Sequence, residues 1–244
     1  YGTLVDIHTE ENDLVWEKTA LYFGYYGAQY SAESLKTDFK SVMTRLESDA
    51  GQSYEVYPDI PFDAVMADLF RAKEITENAD ALGLNAAQVF RIASTEYIRP
   101  YDGVIDALYA LRKKGFRLWL LSNAQRAFTA YELRHLGLGP QFDGIYLSSD
   151  YRCRKPDPRL FHALLDECHL DPARCLMIGN DRKTDIAGAQ AAGLSTLYMH
   201  TNLTPGDQKP ANTALHPNNT DPNSRTFEYE GWNWIDLTEL IHKL

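Results

Sequence analysis

Two carboxylates, Asp181 and Asp185, stand in a short segment whose pattern changes from strand to helix. Residues 175–178 are an apolar run short enough for a buried strand, and a Gly-Asn-Asp turn follows it. From Thr184 the alanine-rich pattern predicts a helix that Gly193 ends. Ligands bind at the carboxyl ends of the strands of a parallel sheet, so carboxylates gathered there favour a hard cation such as Mg²⁺. The alternative is that Asp185 only caps its helix and Asp181 only shapes the turn.

Two further motifs place polar groups where an anion could bind. Ser122 and Asn123 directly follow an apolar run, residues 117–121, and would lie at the carboxyl edge of the sheet. Lys155 precedes residues 156–158, Pro-Asp-Pro; the first proline favours extended backbone before it, and Asp-Pro is typical of a helix start. A lysine held there can direct a fixed charge into the site. A simple helix cap and a solvated surface lysine are the alternatives.

The elements that must position these groups fall into two regions. Before about residue 95 the pattern is all-helical and rich in Tyr and Phe, with helices predicted from residue 9 and over residues 31–48, 62–76 and 86–95. From residue 100 strands and helices alternate, which is typical of βαβ units and a parallel sheet. The predicted strands are residues 117–121, 145–147, 175–178, 195–199 and 227–229. The predicted helices are residues 102–114, 127–136, 159–169, 184–192 and 235–242. Residues 201–224 predict a surface loop.

Size and composition set the broad class. A chain of 244 residues with 44% hydrophobic and 24% charged residues is ordinary for a soluble globular protein. The net charge of −10 argues against nucleic acid or an anionic membrane as the main partner. No apolar run approaches the roughly 18 residues that a membrane span needs. Cys153, Cys168 and Cys175 lack metal-type spacing, so we expect a reducing, cytoplasmic location.

Four short motifs, in this order, resemble those of the haloacid dehalogenase (HAD) superfamily. They are Tyr1-Gly-Thr-Leu, Leu121-Ser-Asn-Ala, Lys155-Pro-Asp-Pro, and Gly179-Asn-Asp followed after three residues by Asp185. The helical region between the first two motifs resembles the subclass with an inserted helical cap. The resemblance implies an α/β fold in which residues 1–8 and 97–244 form a Rossmann-like parallel-sheet core. Residues 9–96 would form an all-helical cap that selects a small-molecule substrate.

The resemblance also implies roles for individual residues. In that family a nucleophilic aspartate attacks phosphorus, or carbon in dehalogenases, and water hydrolyses the covalent intermediate. By motif, Thr3 and Ser122 would contact the transferring group, and Asn123 would help to position it. Gly2 would belong to the same substrate-binding set. Lys155 would balance the negative charge of the nucleophile and of the phosphoryl group.

The fourth motif would hold the cofactor, Mg²⁺. Asp181 and Asp185 would bind it directly or through water. The alignment leaves open whether Asn180 or Asp181 takes the usual position of the first ligand.

The first motif departs from the family pattern in two ways. The nucleophile lies two residues before Tyr1 and is not in this sequence, so the chain as written is expected to be inactive and poorly stable. Family phosphatases usually carry a second aspartate, an acid and base, at the position of Tyr1. Tyrosine, with a pKa of about 10, is a poor base at neutral pH. Its presence resembles the dehalogenase branch, which needs no metal.

Three hypotheses follow. The leading one is a Mg²⁺-dependent phosphatase of a small phosphorylated metabolite, acting through an aspartyl-phosphate, because the acidic fourth motif is costly without a cation. The second is a metal-independent 2-haloacid dehalogenase. The third is a non-catalytic binding or regulatory protein. Under each hypothesis the protein is expected to be a monomer or a dimer. Basic residues of the helical region that could anchor a phosphate or carboxylate are Arg45, Arg71, Lys73 and Arg91.

Overall fold

The structure is a computed structural model that describes residues 1–49, 57–206, 215–217, 226–229 and 233–241. Its strands are β1 Val5–Thr9, β2 Thr95–Pro100, β3 Trp119–Ser122, β4 Gly144–Leu147, β5 Leu176–Gly179, β6 Ser195–Met199, β7 Leu215–Pro217 and β8 Thr226–Tyr229. Its helices are α1 Asp13–Tyr25, α2 Ala32–Asp49, α3 Phe62–Arg71, α4 Ala79–Ser94, α5 Val104–Lys113, α6 Arg126–His135, α7 Ser148–Tyr151, α8 Pro158–Glu167, α9 Ala187–Ala191 and α10 Trp234–Ile241.

Parallel strands form the centre of the larger region. β3 pairs in parallel with β4, and β6 pairs in parallel with both β5 and β8, while β7 adds an antiparallel edge. Leu197 and Met199 of β6 pack with Trp234 and Leu237 of α10 in one buried cluster, so the closing helix covers the sheet. The predicted α/β class with a Rossmann-like parallel sheet is confirmed, and each predicted strand lies within two residues of an observed one.

An antiparallel ribbon, β1 paired with β2, joins the helical region to the sheets, and the sequence did not predict it. The helix predicted from Thr9 is wrong at its start: β1 continues to Thr9, and α1 begins only at Asp13, capped by the side chain of Asn12. The helix predicted over residues 86–95 begins earlier, at Ala79, and yields to β2 at Thr95. Both strands carry β-branched residues that favour strand pairing across the ribbon.

The four helices α1 to α4 pack around their own apolar cluster. Phe23 stacks on Phe70 with ring centroids 4.1 Å apart, and Trp16 meets Phe90 edge-on at 4.9 Å. The hydroxyl of Tyr30 donates to a backbone carbonyl of α3. The aromatic residues named here therefore serve packing. α3 is shorter than predicted, ending at Arg71 instead of residue 76.

The segment after β6 differs from the predicted surface loop over residues 201–224. Thr201 and Thr204 are buried, and residues 215–217 form β7. Residues 207–214 and 218–224 of that predicted loop, and residues 50–56 in the connection between α2 and α3, lie outside the described residues. Within the described part of the chain, every helix is too short or too polar to cross a lipid bilayer.

Candidate active site

A buried ion pair between Lys155 and Asp185 lies at the carboxyl ends of β3 and β5. The Lys155 Nζ donates to Asp185 Oδ1 at 2.6 Å and to the backbone carbonyl of Leu121 at 2.8 Å. Both charged residues are only 6% exposed. One ammonium group therefore joins the end of β3 to the turn after β5. Removing either partner would leave an uncompensated buried charge, so the pair must act as a unit.

Local sequence explains why Lys155 is held in place. Asp157 caps α8 by accepting a hydrogen bond from the backbone N–H of Arg159 at 3.0 Å, and Pro158 takes the first helical position. The Asn123 side chain bonds the backbone of Lys155 in both directions, accepting from its N–H at 2.7 Å and donating to its carbonyl at 3.1 Å. The predicted helix start is confirmed, and Asn123 acts here as a brace for the Lys155 loop.

Asp185 folds back over the turn that precedes it. Its second oxygen, Oδ2, accepts from the backbone N–H of Asn180 at 3.0 Å and of Asp181 at 3.1 Å. Gly179 makes this possible, because a Cβ there would lie 2.3 Å from the Cβ of Asp185. Both oxygens of Asp185 are therefore fixed, one by backbone amides and the other by Lys155.

Asp181 has the capping role that the alternative interpretation gave to Asp185. Its Oδ1 accepts from the backbone N–H groups of Lys183 at 2.8 Å and Thr184 at 3.0 Å. These bonds begin a turn of π-helix, Arg182–Ile186, that continues into α9. Its other oxygen, Oδ2, accepts no hydrogen bond from the part of the chain that the structure describes.

The first motif lies directly against the fourth. The Thr3 hydroxyl donates to Asn180 Oδ1 at 3.0 Å, and the Asn180 amide donates to the carbonyl of Leu203 at 3.3 Å. Gly2 has a φ of 77°, and a Cβ there would lie 2.4 Å from the Asn180 side chain. The Thr201 hydroxyl donates to the Gly2 carbonyl at 2.6 Å. The chain after β6 thus helps to hold two motifs together.

Tyr1 is bound to helix α6 by residues that the sequence did not single out. Its hydroxyl donates to the carboxylate of Glu132 and lies 2.9 Å from the hydroxyl of Thr129. Burial, and then the neighbouring Glu132 carboxylate, raise the pKa of Tyr1 well above its usual value, so the hydroxyl stays protonated. Thr129 and Glu132 are three residues apart and share one helix face. In the sequence this spacing is ordinary for a helix, so it did not indicate a functional site.

Ser122 ends β3 and is half-buried. The backbone N–H of Ala124, two residues on, donates to the Ser148 hydroxyl at 2.8 Å, which ties the ends of β3 and β4 together. The structure therefore brings the four motifs to one edge of the sheets, through the contacts of Thr3 with Asn180, Asn123 with Lys155, and Lys155 with Asp185.

The donor set fits a magnesium ion as a site of two carboxylates. Mg²⁺ is usually held by one or two carboxylates, with waters and substrate phosphate completing its six ligands. Asp181 and Asp185 would supply the two carboxylates from one turn. Asp181 Oδ2 accepts no hydrogen bond from the described residues, whereas both Asp185 oxygens already accept hydrogen bonds, one from Lys155 and the other from backbone amides. No group of three or more His, Cys, Asp or Glu side chains arranged for a metal occurs among the residues described.

The match to known families agrees with this arrangement. Residues 1–193, most of the chain, match the family of haloacid dehalogenase-like hydrolases. The chain belongs to this family. The motif residues of this HAD-like hydrolase, from Tyr1 to Asp185, all lie within the matched region.

Curated relatives of this HAD-like hydrolase include two named phosphatases. It is 32% identical over 111 residues to the glyceraldehyde 3-phosphate phosphatase of Methanothermobacter thermautotrophicus, covering 46% of this chain and 49% of that protein. It is 38% identical over 101 residues to the phosphoglycolate phosphatase of Mesorhizobium japonicum, covering 41% and 44%. The chain spans about half the length of the curated relatives it matches.

Solved structures share the fold over nearly the whole chain. The 2-haloacid dehalogenase of Pseudomonas syringae pv. Tomato matches with a TM-score of 0.61 at 21% identity, over 98% of this chain and 95% of that one. A HAD phosphatase of Thermococcus onnurineus matches with a TM-score of 0.53 at 16% identity, over 99% and 94%. At these identities the likeness concerns the fold of the HAD-like hydrolase.

Proposed function

We propose that this HAD-like hydrolase is a Mg²⁺-dependent phosphatase of a small phosphorylated metabolite. The observation that carries the proposal is the buried ion pair of Lys155 with Asp185 at the ends of β3 and β5, beside a second carboxylate, Asp181, in the same turn. A cation and an ammonium group together suit a substrate with a doubly negative phosphoryl group. The printed names of the two phosphatase relatives support the same substrate class.

The chemistry requires a nucleophile that the four motifs place two residues before Tyr1. An aspartate there attacks phosphorus, and the bond to the leaving oxygen breaks to give an aspartyl-phosphate that water hydrolyses. Ser122 and Thr3 bind the phosphoryl oxygens, Gly2 allows the close approach of the substrate-binding motif to Asn180, and Asn123 keeps the Lys155 loop in position. Lys155 offsets the charge that builds up on the nucleophile and the phosphoryl group.

Asp185 and Asp181 are the residues that would hold Mg²⁺, with the amide oxygen of Asn180 nearby. When bound, the ion supplies electrostatic stabilisation to the phosphoryl oxygens. Asp181 provides its available oxygen while its other oxygen caps the following helical turn. Asp185 holds the Lys155 ammonium beside the same turn.

Residues 9–96 form the cap in this proposal and select the substrate, while residues 1–8 and 97–244 form the catalytic core. Lids over such sites commonly choose the substrate and exclude water. The three cysteines, Cys153, Cys168 and Cys175, are free thiols, which supports a cytoplasmic location. The proposal holds for a monomer or a dimer and involves no nucleic acid or membrane.

The test is phosphate release from a broad panel of phosphomonoesters, with Mg²⁺ and with EDTA. The protein should be the intact gene product, with the residues ahead of Tyr1 established by mass. We expect turnover of at least one phosphomonoester that EDTA abolishes. The absence of turnover from a folded protein that carries the aspartate would contradict the proposal.

A metal-independent 2-haloacid dehalogenase is the second candidate function. The favouring observation is Tyr1, whose hydroxyl is committed to Glu132 and stays protonated, so it cannot serve as a general base. Halide release from 2-haloacids that persists in EDTA would support this candidate over the phosphatase. If the residue two before Tyr1 is not aspartate, a non-catalytic binding role becomes the remaining interpretation.

A further inference from the structure

Glu132 lies where the cap, the core and the first motif meet. It is a buried carboxylate on α6, 7% exposed, and it accepts hydrogen bonds from both sides. One oxygen accepts from the Tyr1 hydroxyl. The other accepts from Arg91 Nε, on cap helix α4, at 2.6 Å. A single carboxylate therefore bonds to the first motif and to the cap.

The surroundings of Arg91 make this contact part of the interface between cap and core. Its guanidinium lies over the ring of Tyr1 at 5.4 Å and over the ring of Phe128 at 5.3 Å. Phe128 in turn contacts Phe62 of the cap edge-on at 5.3 Å. Arginine stacked on aromatic rings and paired with a buried carboxylate is held in one orientation.

The other basic residues considered as anchors in the cap have partners away from this interface. Arg45 and Arg71 pair with Asp68, and Lys73 lies over the ring of Tyr30. Those contacts are internal to α1–α4 and the turns between them. Arg91 is thus distinguished by its position against Tyr1.

The Tyr1 hydroxyl is fully constrained by this network. It has one proton, which it donates to Glu132, so Thr129 is the donor in the 2.9 Å contact between the two hydroxyls. Tyr1 directly precedes Gly2, which lies against the Asn180 side chain of the fourth motif, so the network adjoins the site.

We propose that Glu132 is a positioning residue that couples the seating of the cap to the placement of the Tyr1 side chain at the first motif. By accepting the hydrogen bond of the Tyr1 hydroxyl, it fixes this first-motif side chain in one orientation. Through Arg91 it fixes cap helix α4 against core helix α6. The expected effects on kcat and KM rest on the proposed function. The coupling between the cap and Tyr1 rests on the contacts of Glu132 alone.

The kinetic test compares variants of the intact protein on the phosphomonoester that it turns over best. Tyr1→Phe removes only the hydroxyl and is expected to lower kcat about tenfold with little change in KM, because the first motif loses the hydrogen bond to Glu132 that holds it in position. Arg91→Gln loosens the cap and is expected to raise KM with little change in kcat. Glu132→Ala is expected to change both.

Glu132→Gln separates positioning from a merely structural role. Glutamine still accepts the Tyr1 hydroxyl proton but loses the charge that binds Arg91, so kcat should recover towards wild type while KM stays raised. Asp143→Asn is the matched control, because Asp143 also pairs with an arginine, Arg112, at 3.0 Å. Asp143 directly precedes β4 and therefore lies at the edge of the sheet opposite the motifs. It should leave kcat and KM unchanged.

Two results would overturn the proposal. One is a folded Glu132→Ala variant with wild-type kcat and KM. The other is a Tyr1→Phe change that lowers kcat by the same factor whether residue 132 is Glu or Ala.

Urea unfolding gives a readout that needs no activity. The shifts in the unfolding midpoint for Tyr1→Phe and Glu132→Ala should be non-additive in the double variant. The reason is that each substitution removes the same hydrogen bond, between the Tyr1 hydroxyl and Glu132. Additive shifts would overturn the coupling. Absence of phosphate release from the wild type would instead contradict the proposed function, while the unfolding cycle would still decide the coupling.

Discussion

At the scale of single residues, the site depends on charges that are buried and fully bonded. Lys155 and Asp185 satisfy each other and also bond to backbone groups of β3 and of the turn after β5. Such a pair gives little net stability compared with apolar residues, but breaking it is costly. The pair is therefore better explained by its position at the site than by a contribution to folding.

Lys155→Met tests this at the residue scale. We expect loss of phosphatase activity of about 100- to 1,000-fold, because a preorganised positive charge is removed from the site. The free energy of unfolding should fall by about 3–5 kcal/mol, since Asp185 is left buried without a counter-charge. Kinetics and urea unfolding measure the two effects. Adding Asp185→Asn should recover much of the stability and none of the activity; recovery of activity would contradict the assignment.

Gly179→Ala tests the close approach of Asp185 to the turn. The new Cβ would lie 2.3 Å from the Asp185 Cβ, so either the turn or the ion pair must shift. We expect a loss of about 1–3 kcal/mol in the free energy of unfolding, typical of overpacking, together with reduced activity. Gly139→Ala is the control, because a Cβ there would meet its nearest neighbour, the Leu133 carbonyl oxygen, only at 3.9 Å. Equal effects of the two substitutions would argue against this reading of Gly179.

At the scale of elements, the ribbon β1–β2 is the connection between helices α1–α4 and the sheets. Asp6 of β1 is buried and accepts from Arg99 of β2 at 2.9 Å and from Asn202, after β6, at 3.0 Å. The same segment after β6 bonds to Gly2 and Asn180. The ribbon and two site motifs are therefore fastened to one short stretch of chain.

Asp6→Asn should weaken the ribbon by about 1–3 kcal/mol at neutral pH, the usual cost of losing a charged hydrogen-bond acceptor. Burial raises the pKa of Asp6, but hydrogen bonds from Asn202 and Arg99 outweigh it, so the net pKa lies below the usual value. This stability is present above the ordinary aspartate pKa and is lost as the pH falls through the lowered one.

Urea unfolding from neutral pH down to about pH 3 measures this contribution. The difference in stability between wild type and Asp6→Asn should shrink as the pH falls. A difference that stays constant over this range would show that the charge of Asp6 does not hold the ribbon.

At the scale of the whole molecule, the helices α1–α4 and the sheet region contact each other close to the motifs. Gln125, two residues after Asn123, accepts from the backbone N–H of Phe62 at 2.8 Å and donates to Asp59 at 2.9 Å. The chain just before α3 also bridges to the chain just before Lys155, through Pro58 and Cys153. The start of α3 is therefore seated on the loops of the second and third motifs.

Gln125→Ala should loosen that seating without touching the reacting groups. We expect KM for the phosphomonoester to rise several-fold with a smaller change in kcat, because two or more hydrogen bonds to the cap are lost. Hydrogen exchange at residues 59–64 should quicken in parallel. Gln190→Ala, on α9, is a control glutamine that bonds to Thr226 of β8 and should leave KM unchanged.

The sequence by itself determined the class of fold, the positions of the parallel strands and the identity of the motif residues. These depend on local patterns: apolar runs of strand length, glycine at turns, and an Asp-Pro helix start at Asp157. It also limited the chemistry, because carboxylates at residues 181 and 185 and a lysine at 155 suit few ligands. Such local patterns involve only a few neighbouring residues, so the secondary structure that they favour does not depend on contacts with distant parts of the chain.

Only the tertiary structure decided which groups contact each other. Asp181 caps the turn while Asp185 pairs with Lys155, and nothing in their spacing distinguishes the two roles. The partners of Tyr1, on α6 and on α4, are about 90 to 130 residues away along the chain. The ribbon was missed because its strands lie about 90 residues apart, and their pairing is visible only once both are placed side by side.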